Sequence, residues 1–124
     1  MTMPIRTATD ADWDAVWRID RTVFGGSSDP APSKAERRIL PIERVLVADD
    51  PNDVIVGTAG DYPFELTLPG GVSAPAAGVT NVGVLPTHRR RGILRSLMDR
   101  QLDDIASRGE PLAILNASEA PIYG

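Results

Sequence analysis

The chain contains no cysteine and a single histidine. The first absence excludes disulfides, thiolate zinc sites and a cysteine nucleophile. The second leaves nothing from which a histidine metal cluster can be built, so no metal is expected. There is no apolar run near bilayer-spanning length, and Met1-Thr2-Met3-Pro4 does not open a signal-peptide pattern. A cytoplasmic location is the default expectation. Positive charge is outnumbered, with 13 Lys and Arg against 17 Asp and Glu. The chain as a whole therefore repels nucleic acid, and neither a nucleic-acid nor a membrane partner is expected. With 42% apolar and 24% charged residues over 124 positions, it has the composition of a globular protein and the length of one domain with a real core.

The rest of the chain is organised around the run GVTNVGVLPTHRRRGILRSLM, Gly78 to Met98. Val79, Thr80, Val82, Gly83 and Val84 are small or β-branched, which predicts a strand. Ile93, Leu94, Leu97, Met98, Leu102 and Ile105 recur at helical spacing, with polar Arg95, Asp99, Arg100 and Asp103 between them, which predicts an amphipathic helix. Between the two, Leu85-Pro86-Thr87-His88-Arg89-Arg90-Arg91-Gly92 must turn the chain directly from strand into helix. A helix start leaves backbone N–H groups without partners and carries the positive end of the peptide dipoles, and a phosphate satisfies both. Gly92, lacking Cβ, lets a pyrophosphate approach the main chain, and the arginines add charge-assisted donors. The loop carries neither a Gly-Lys-Ser/Thr nor a G-x-G-x-x-G motif. On residue types alone, a solvated basic turn before an ordinary helix explains the pattern equally well.

Strand, then Val84-Leu85-Pro86-Thr87-His88-Arg89-Arg90-Arg91-Gly92-Ile93-Leu94, then helix resembles the acyl-CoA-binding motif of the GNAT N-acyltransferase superfamily. Arg89 and Gly92 match its Q/R-x-x-G-x-G/A pattern, and Leu94 stands where a small residue is usual. PTHRRRGILRSLM together with NASEAPIYG is similar to the Eis (enhanced intracellular survival) acetyltransferases of actinobacteria, which carry a very similar loop and an A-S-E-x-x-I-Y-G segment. The resemblance covers essentially the whole chain in element order. It implies an α/β (α+β mixed-sheet) GNAT fold, truncated after the fifth strand and the start of the following helix. Residues 1–124 are then an incomplete N-terminal GNAT acetyltransferase domain, without the family's second GNAT-like and sterol-carrier-like regions.

Ile5–Ala8 predicts a first strand. Thr9-Asp10-Ala11-Asp12 resembles a capping box with aspartate for glutamate, opening a helix whose face is Trp13, Val16, Trp17, Ile19, Asp20, Val23 and Phe24. Most of these residues are core, and in GNAT proteins the region after this helix walls the acceptor site, so the resemblance makes Trp17 and Phe24 candidates for lining it. Gly25 to Pro32 is a breaker-rich loop, a substrate gate or a plain surface connection, and Ser33-Lys34-Ala35-Glu36 caps a short second helix ending near Leu40-Pro41. Arg44–Asp49 and Val54–Tyr62, running on through Leu68, predict a hairpin turned at Asp50–Asp53, with Pro63 marking a bend or an edge. Residues 72–77 read as a connector into the organising strand at Gly78. The long helix is expected to stop near Ser107-Arg108-Gly109, with arginine at its negative end. The apolar Leu112–Asn116 predicts a strand buried on both faces and parallel to the organising strand.

The resemblance assigns the chemistry. Acetyl-CoA is the implied co-substrate, its pyrophosphate held by Arg90, Arg91, Gly92, Ile93, Leu94 and Arg95. Its pantetheine arm lies along Val82, Gly83 and Val84, where the two parallel strands splay apart, and Ser118 and Glu119 flank the acyl end. A tyrosine at a helix start is more often structural. The match to S-E-x-x-I-Y-G points instead to Tyr123 as the acid that protonates the departing CoA thiolate, and a phenol is protonated at neutral pH. The acceptor is a primary amine, with an aminoglycoside or similar polyamine implied and acidic walls from Asp20, Asp29 or Glu119 suited to a cation. The family's general base, its distant C-terminal carboxylate, is not supplied by Gly124, which is tethered too close to Tyr123, so the 124 residues alone are expected to bind CoA weakly and catalyse poorly. The alternatives are a non-catalytic acyl-CoA-binding or interaction module, a protein lysine acetyltransferase, and nucleic-acid binding through the arginine run. A homo-oligomer of the complete protein is left open.

Overall fold

The computed structural model describes residues 4–24, 40–88 and 92–114. Five strands form one sheet in chain order: β1 (Ile5–Thr7), β2 (Val45–Asp49), β3 (Ile55–Thr67), β4 (Ser73–Val84) and β5 (Leu112–Ile114). The first four pair antiparallel, and β4 and β5 pair parallel at Ala76–Leu112, Ala77–Ala113 and Gly78–Ile114. Helix α1 (Trp13–Phe24), helix α2 (Ile93–Ser107) and three 3-10 turns, Asp10–Asp12, Ile42–Arg44 and Pro86–His88, complete the described elements.

Two apolar clusters show how the layers are built. In β2, Val45 and Val47 pack with Trp13, Val16 and Leu40 on the α1 face, while Leu46 and Ala48 pack with Ile93 and Leu97 on the α2 face. This is the period-two alternation of a strand sandwiched between two helices. The start of α1 is fixed by charge. Asp12 Oδ2 accepts from the Thr9 backbone N–H at 2.7 Å, completing the expected box, and Arg6 bridges Asp12 at 2.8 Å and Asp49 at 2.7 Å. The Arg6 hydrogen bond holds the Asp12 carboxyl well below the usual carboxylate range.

The fold departs from expectation in three places. Strand β4 begins at Ser73, not Gly78, and its first residues pair with Pro63–Thr67 in a long arm. Proline and alanine made this segment read as a connector. Pro63 lies past the last residue paired to β2, and Pro75 just before the first paired to β5. Each proline thus sits where its strand has a free edge and a missing N–H is tolerated.

Leu112–Ile114 is not buried on both faces, since Ala113 is exposed and Ile114 is 44% exposed. Among the described residues it is the end strand of the sheet, and α2 packs over β2, β3 and β4 instead. Finally, Leu102 faces solvent and Gln101 takes the core position, continuing the four-residue spacing Ile93, Leu97, Gln101, Ile105. The expected helix at 33–40 lies outside the described residues apart from Leu40, which is buried.

The α2 C-terminus closes as expected. Gly109 takes the left-handed conformation at φ 78°, and the Glu110 N–H returns to the Ile105 carbonyl at 3.2 Å. The Arg108 side chain reaches Asp61 at 3.4 Å, so its charge neutralises a buried acid.

Candidate cofactor-binding site

Strand β4 carries one residue more than β3 across its middle. Thr58 pairs with Gly83 and Gly60 with Thr80, so two steps on β3 face three on β4. This bulge changes which residues share a face. Val79 ahead of it and Val82 and Val84 beyond it all pack in the α2-side cluster, whereas the Cα of Gly83 faces α1. A Cβ on Gly83 would stand 3.1 Å from Val23 of α1, so glycine there allows close helix–sheet packing. The side chains of Val82 and Val84 are spent on the core, and what they offer a ligand is main chain. The last described parallel pair is Gly78–Ile114, so the expected splay beside Val82, Gly83 and Val84 lies outside the described residues.

After β4 the chain makes one 3-10 turn, Pro86–His88, and α2 opens at Gly92. Gly92 has φ 74° and ψ 9°, a left-handed conformation, and its carbonyl receives the Ser96 N–H at 3.0 Å. Among the described residues, no side chain caps this helix start, no acid lies in its first turn, and a Cβ on Gly92 would meet nothing within 4 Å. Among those residues the opening turn thus offers backbone N–H groups, the positive end of the helix dipole and open space beside Gly92, which is what an anion requires. Ile93 is buried in the core, Leu94 packs partly against it and Arg95 is exposed. Among the predicted contacts, Ile93 and Leu94 can thus serve only through backbone N–H groups, and Arg95 keeps a side chain free to reach outward. Arg90, Arg91, Ser118, Glu119 and Tyr123 lie outside the described residues, as does Asp29.

On the α1 side, Trp13 and Trp17 stack with ring centroids 6.4 Å apart, Trp13 buried and Trp17 partly exposed. The placement of the Phe24 side chain is outside what is described.

A buried ionic cluster, absent from the sequence reading, braces the far end of α2. Arg44 Nε donates to Asp61 Oδ1, and the Arg44 Nη groups donate to Glu110 at 2.7 and 3.1 Å. Gln101 Nε2 donates to the Gly60 carbonyl at 2.9 Å and to Asp61 Oδ2 at 3.3 Å. Burial works against the Arg44 charge, but the bonds to Glu110 and Asp61 outweigh it and hold the guanidinium above its ordinary value. The available signal was Gln101 itself, a polar residue on the helical core stripe.

A GNAT acetyltransferase domain model matches residues 4–124. The chain belongs to the GNAT acetyltransferase family. Its relatives include an uncharacterized N-acetyltransferase of Streptomyces avermitilis, 46% identical over 125 residues, which span all of this chain and 30% of that protein. The structure of Eis1 from Mycobacterium abscessus superposes with a TM-score of 0.86 at 40% identity, covering 97% of this chain and 30% of that one. A predicted acetyltransferase from Clostridium acetobutylicum, solved with acetyl-CoA, shares the fold at a TM-score of 0.76 and 20% identity, over 98% of this chain and 86% of its own. This GNAT chain therefore spans about a third of the length of its Streptomyces and Eis relatives. Among the described residues, no group of three His, Cys, Asp or Glu side chains could hold a metal, and no helix is long and apolar enough to cross a membrane.

Proposed function

We propose that this GNAT chain binds acetyl-CoA and serves an N-acetyltransferase that acetylates a primary amine, an aminoglycoside or similar polyamine, in the cytoplasm. The observation that carries the reading is the uncapped, acid-free opening of α2 at a left-handed Gly92 with open space beside it, directly beyond a basic loop. The residues fit the co-substrate: N–H groups of Gly92, Ile93 and Leu94 with Arg90, Arg91 and Arg95 for the pyrophosphate, and main chain of Val82, Gly83 and Val84 for the pantetheine amides. Ser118 and Glu119 would flank the acyl end.

When bound, acetyl-CoA supplies its acetyl group as a thioester to the attacking amine. The chain's own part is to hold the nucleotide end rigidly and to deliver a proton. Tyr123 would supply the proton that the departing CoA thiolate needs, since a phenol is ordinarily protonated at neutral pH. The amine must be neutral to attack. The Eis relationship supports a polycationic acceptor, with Asp20, Asp29 and Glu119 as the acids that would attract it.

The test is release of CoA thiol from acetyl-CoA, followed with a thiol reagent, in the presence of an aminoglycoside or of a lysine peptide. Turnover with the aminoglycoside, lowered on Tyr123→Phe without a matching loss of CoA affinity, supports the reading. CoA binding without thiol release from acetyl-CoA in the presence of any amine would favour a non-catalytic acyl-CoA-binding module.

A further inference from the structure

Strand β5 has little apolar anchorage among the described residues. Leu112 is partly buried, Ala113 and Ile114 are exposed, and the strand meets the sheet through three parallel pairs, against ten pairs between β3 and β4. Charge fastens its entry instead. Glu110, two residues ahead of Leu112, accepts from both Arg44 Nη groups at 2.7 and 3.1 Å, and the Arg44 and Glu110 side chains are 10% and 8% exposed. Arg44 lies directly before β2 and donates through Nε to Asp61 of β3. The Glu110 carboxylate therefore ties the start of the fifth strand to the second and third, bypassing the fourth. The tether has little slack. On one side the Glu110 N–H bonds the Ile105 carbonyl at 3.2 Å. On the other, only Pro111 separates Glu110 from Leu112, and the proline ring fixes its own φ and restricts the residue before it. A displacement of Leu112 away from β4 is thus carried to Glu110.

We propose that the Arg44–Glu110 contact is the latch of β5: while it holds, the strand stays on β4, and when it breaks, residues 111–114 separate as a unit from an otherwise intact sheet. Local opening of this kind belongs to segments with few buried apolar contacts. Here the resistance to opening lies in one two-pronged, charge-assisted contact. Release uncovers the main chain of Ala76, Ala77 and Gly78, on the same strand that carries Val82, Gly83 and Val84. The latch therefore sets how much of the β4 edge is available to a ligand, and it stands independently of the acetyl-CoA reading.

Amide hydrogen exchange on the 124-residue chain, followed by NMR at low urea, reads the latch without a ligand. In the wild type, the amides of Leu112–Ile114 that bond β4 should exchange faster than the slowest amides of β2 and β3 and respond little to urea, because a local opening exposes little surface. Glu110→Gln removes the charge and leaves Arg44 one acceptor. It should speed the β5 amides about tenfold, the low end for weakening a hydrogen bond to a charged group. Pro111→Gly keeps the ion pair and adds slack, and should also speed them about tenfold. Gly83→Ala, which crowds Val23 far from the latch, should speed the β2 and β3 amides and leave those of β5 unchanged. Wild-type β5 amides that exchange at the rate and with the urea response of β2 and β3 would overturn the latch, since the strand would then open only with the whole fold. So would β5 rates that stay at the wild-type value in Glu110→Gln or in Pro111→Gly.

Discussion

Replacing Asp61 with asparagine keeps the side chain's shape and removes its charge, in the least forgiving place the described fold offers. Asp61 is 1% exposed and accepts from Arg44, Arg108 and Gln101. An amide at this position has one oxygen where the carboxylate had two, so its NH2 must face either the Gln101 NH2 or an arginine. Gln101 can turn its own oxygen, which is buried and unpartnered among the described residues, toward the new donor, but only by giving up the Gly60 carbonyl. Arg44 retains Glu110, and Arg108 is partly exposed and can rehydrate. The cost therefore belongs at the low end for breaking a buried ion pair, about 3 kcal/mol. In urea this is a fall in midpoint of roughly 1.5 M at an m-value of about 2 kcal/mol/M. Arg44→Met should cost a similar amount, and the double variant less than the sum, because the two side chains bond directly and either change alone already breaks that bond. A loss under about 1 kcal/mol, or strict additivity, would refute the view that these charges act as a unit.

Three further outcomes follow from the geometry. Gly83→Ala pushes a methyl to 3.1 Å from Val23 and should lower stability by about 1–2 kcal/mol through overpacking, read as a shifted urea midpoint. Gly92→Ala meets no neighbour within 4 Å but forces φ 74° on a residue with Cβ. It should cost about 1 kcal/mol and weaken CoA binding, whereas Gly92→Asn should recover much of the stability. Asp12→Ala removes the Thr9 box and the Arg6 bridge, a loss of about 1 kcal/mol near neutral pH. Because the folded-state pKa of Asp12 is depressed, this stability is present above the unfolded carboxylate range and is lost as pH falls through the folded value. The two proteins should therefore converge in acid-denaturation curves.

Much of the fold was legible because apolar spacing and capping residues agreed. The Thr9 box, the β2–β3 hairpin and the glycine that ends α2 all lie where local chemistry requires them. The bulge was written in the sequence too: Val79, Val82 and Val84 break strict alternation by one residue, and only an inserted residue puts all three on one face. What could not be read was long-range. Asp61 and Gln101 are ordinary polar letters until β3 and α2 cross, and Ser73–Ala77 reads as a connector until a partner strand supplies its hydrogen bonds. At the candidate site, the opening of α2 at Gly92 was legible from loop and helix chemistry. That Ile93 and Leu94 would turn their side chains into the core was implicit in the same apolar stripe that defined the helix.

Calorimetric titration with CoA tests most directly whether an anion docks at the opening of α2. Saturable binding by the wild type that is lost on Arg91→Glu, with the urea midpoint unchanged, is the result predicted. Binding of equal strength in the two proteins would contradict it.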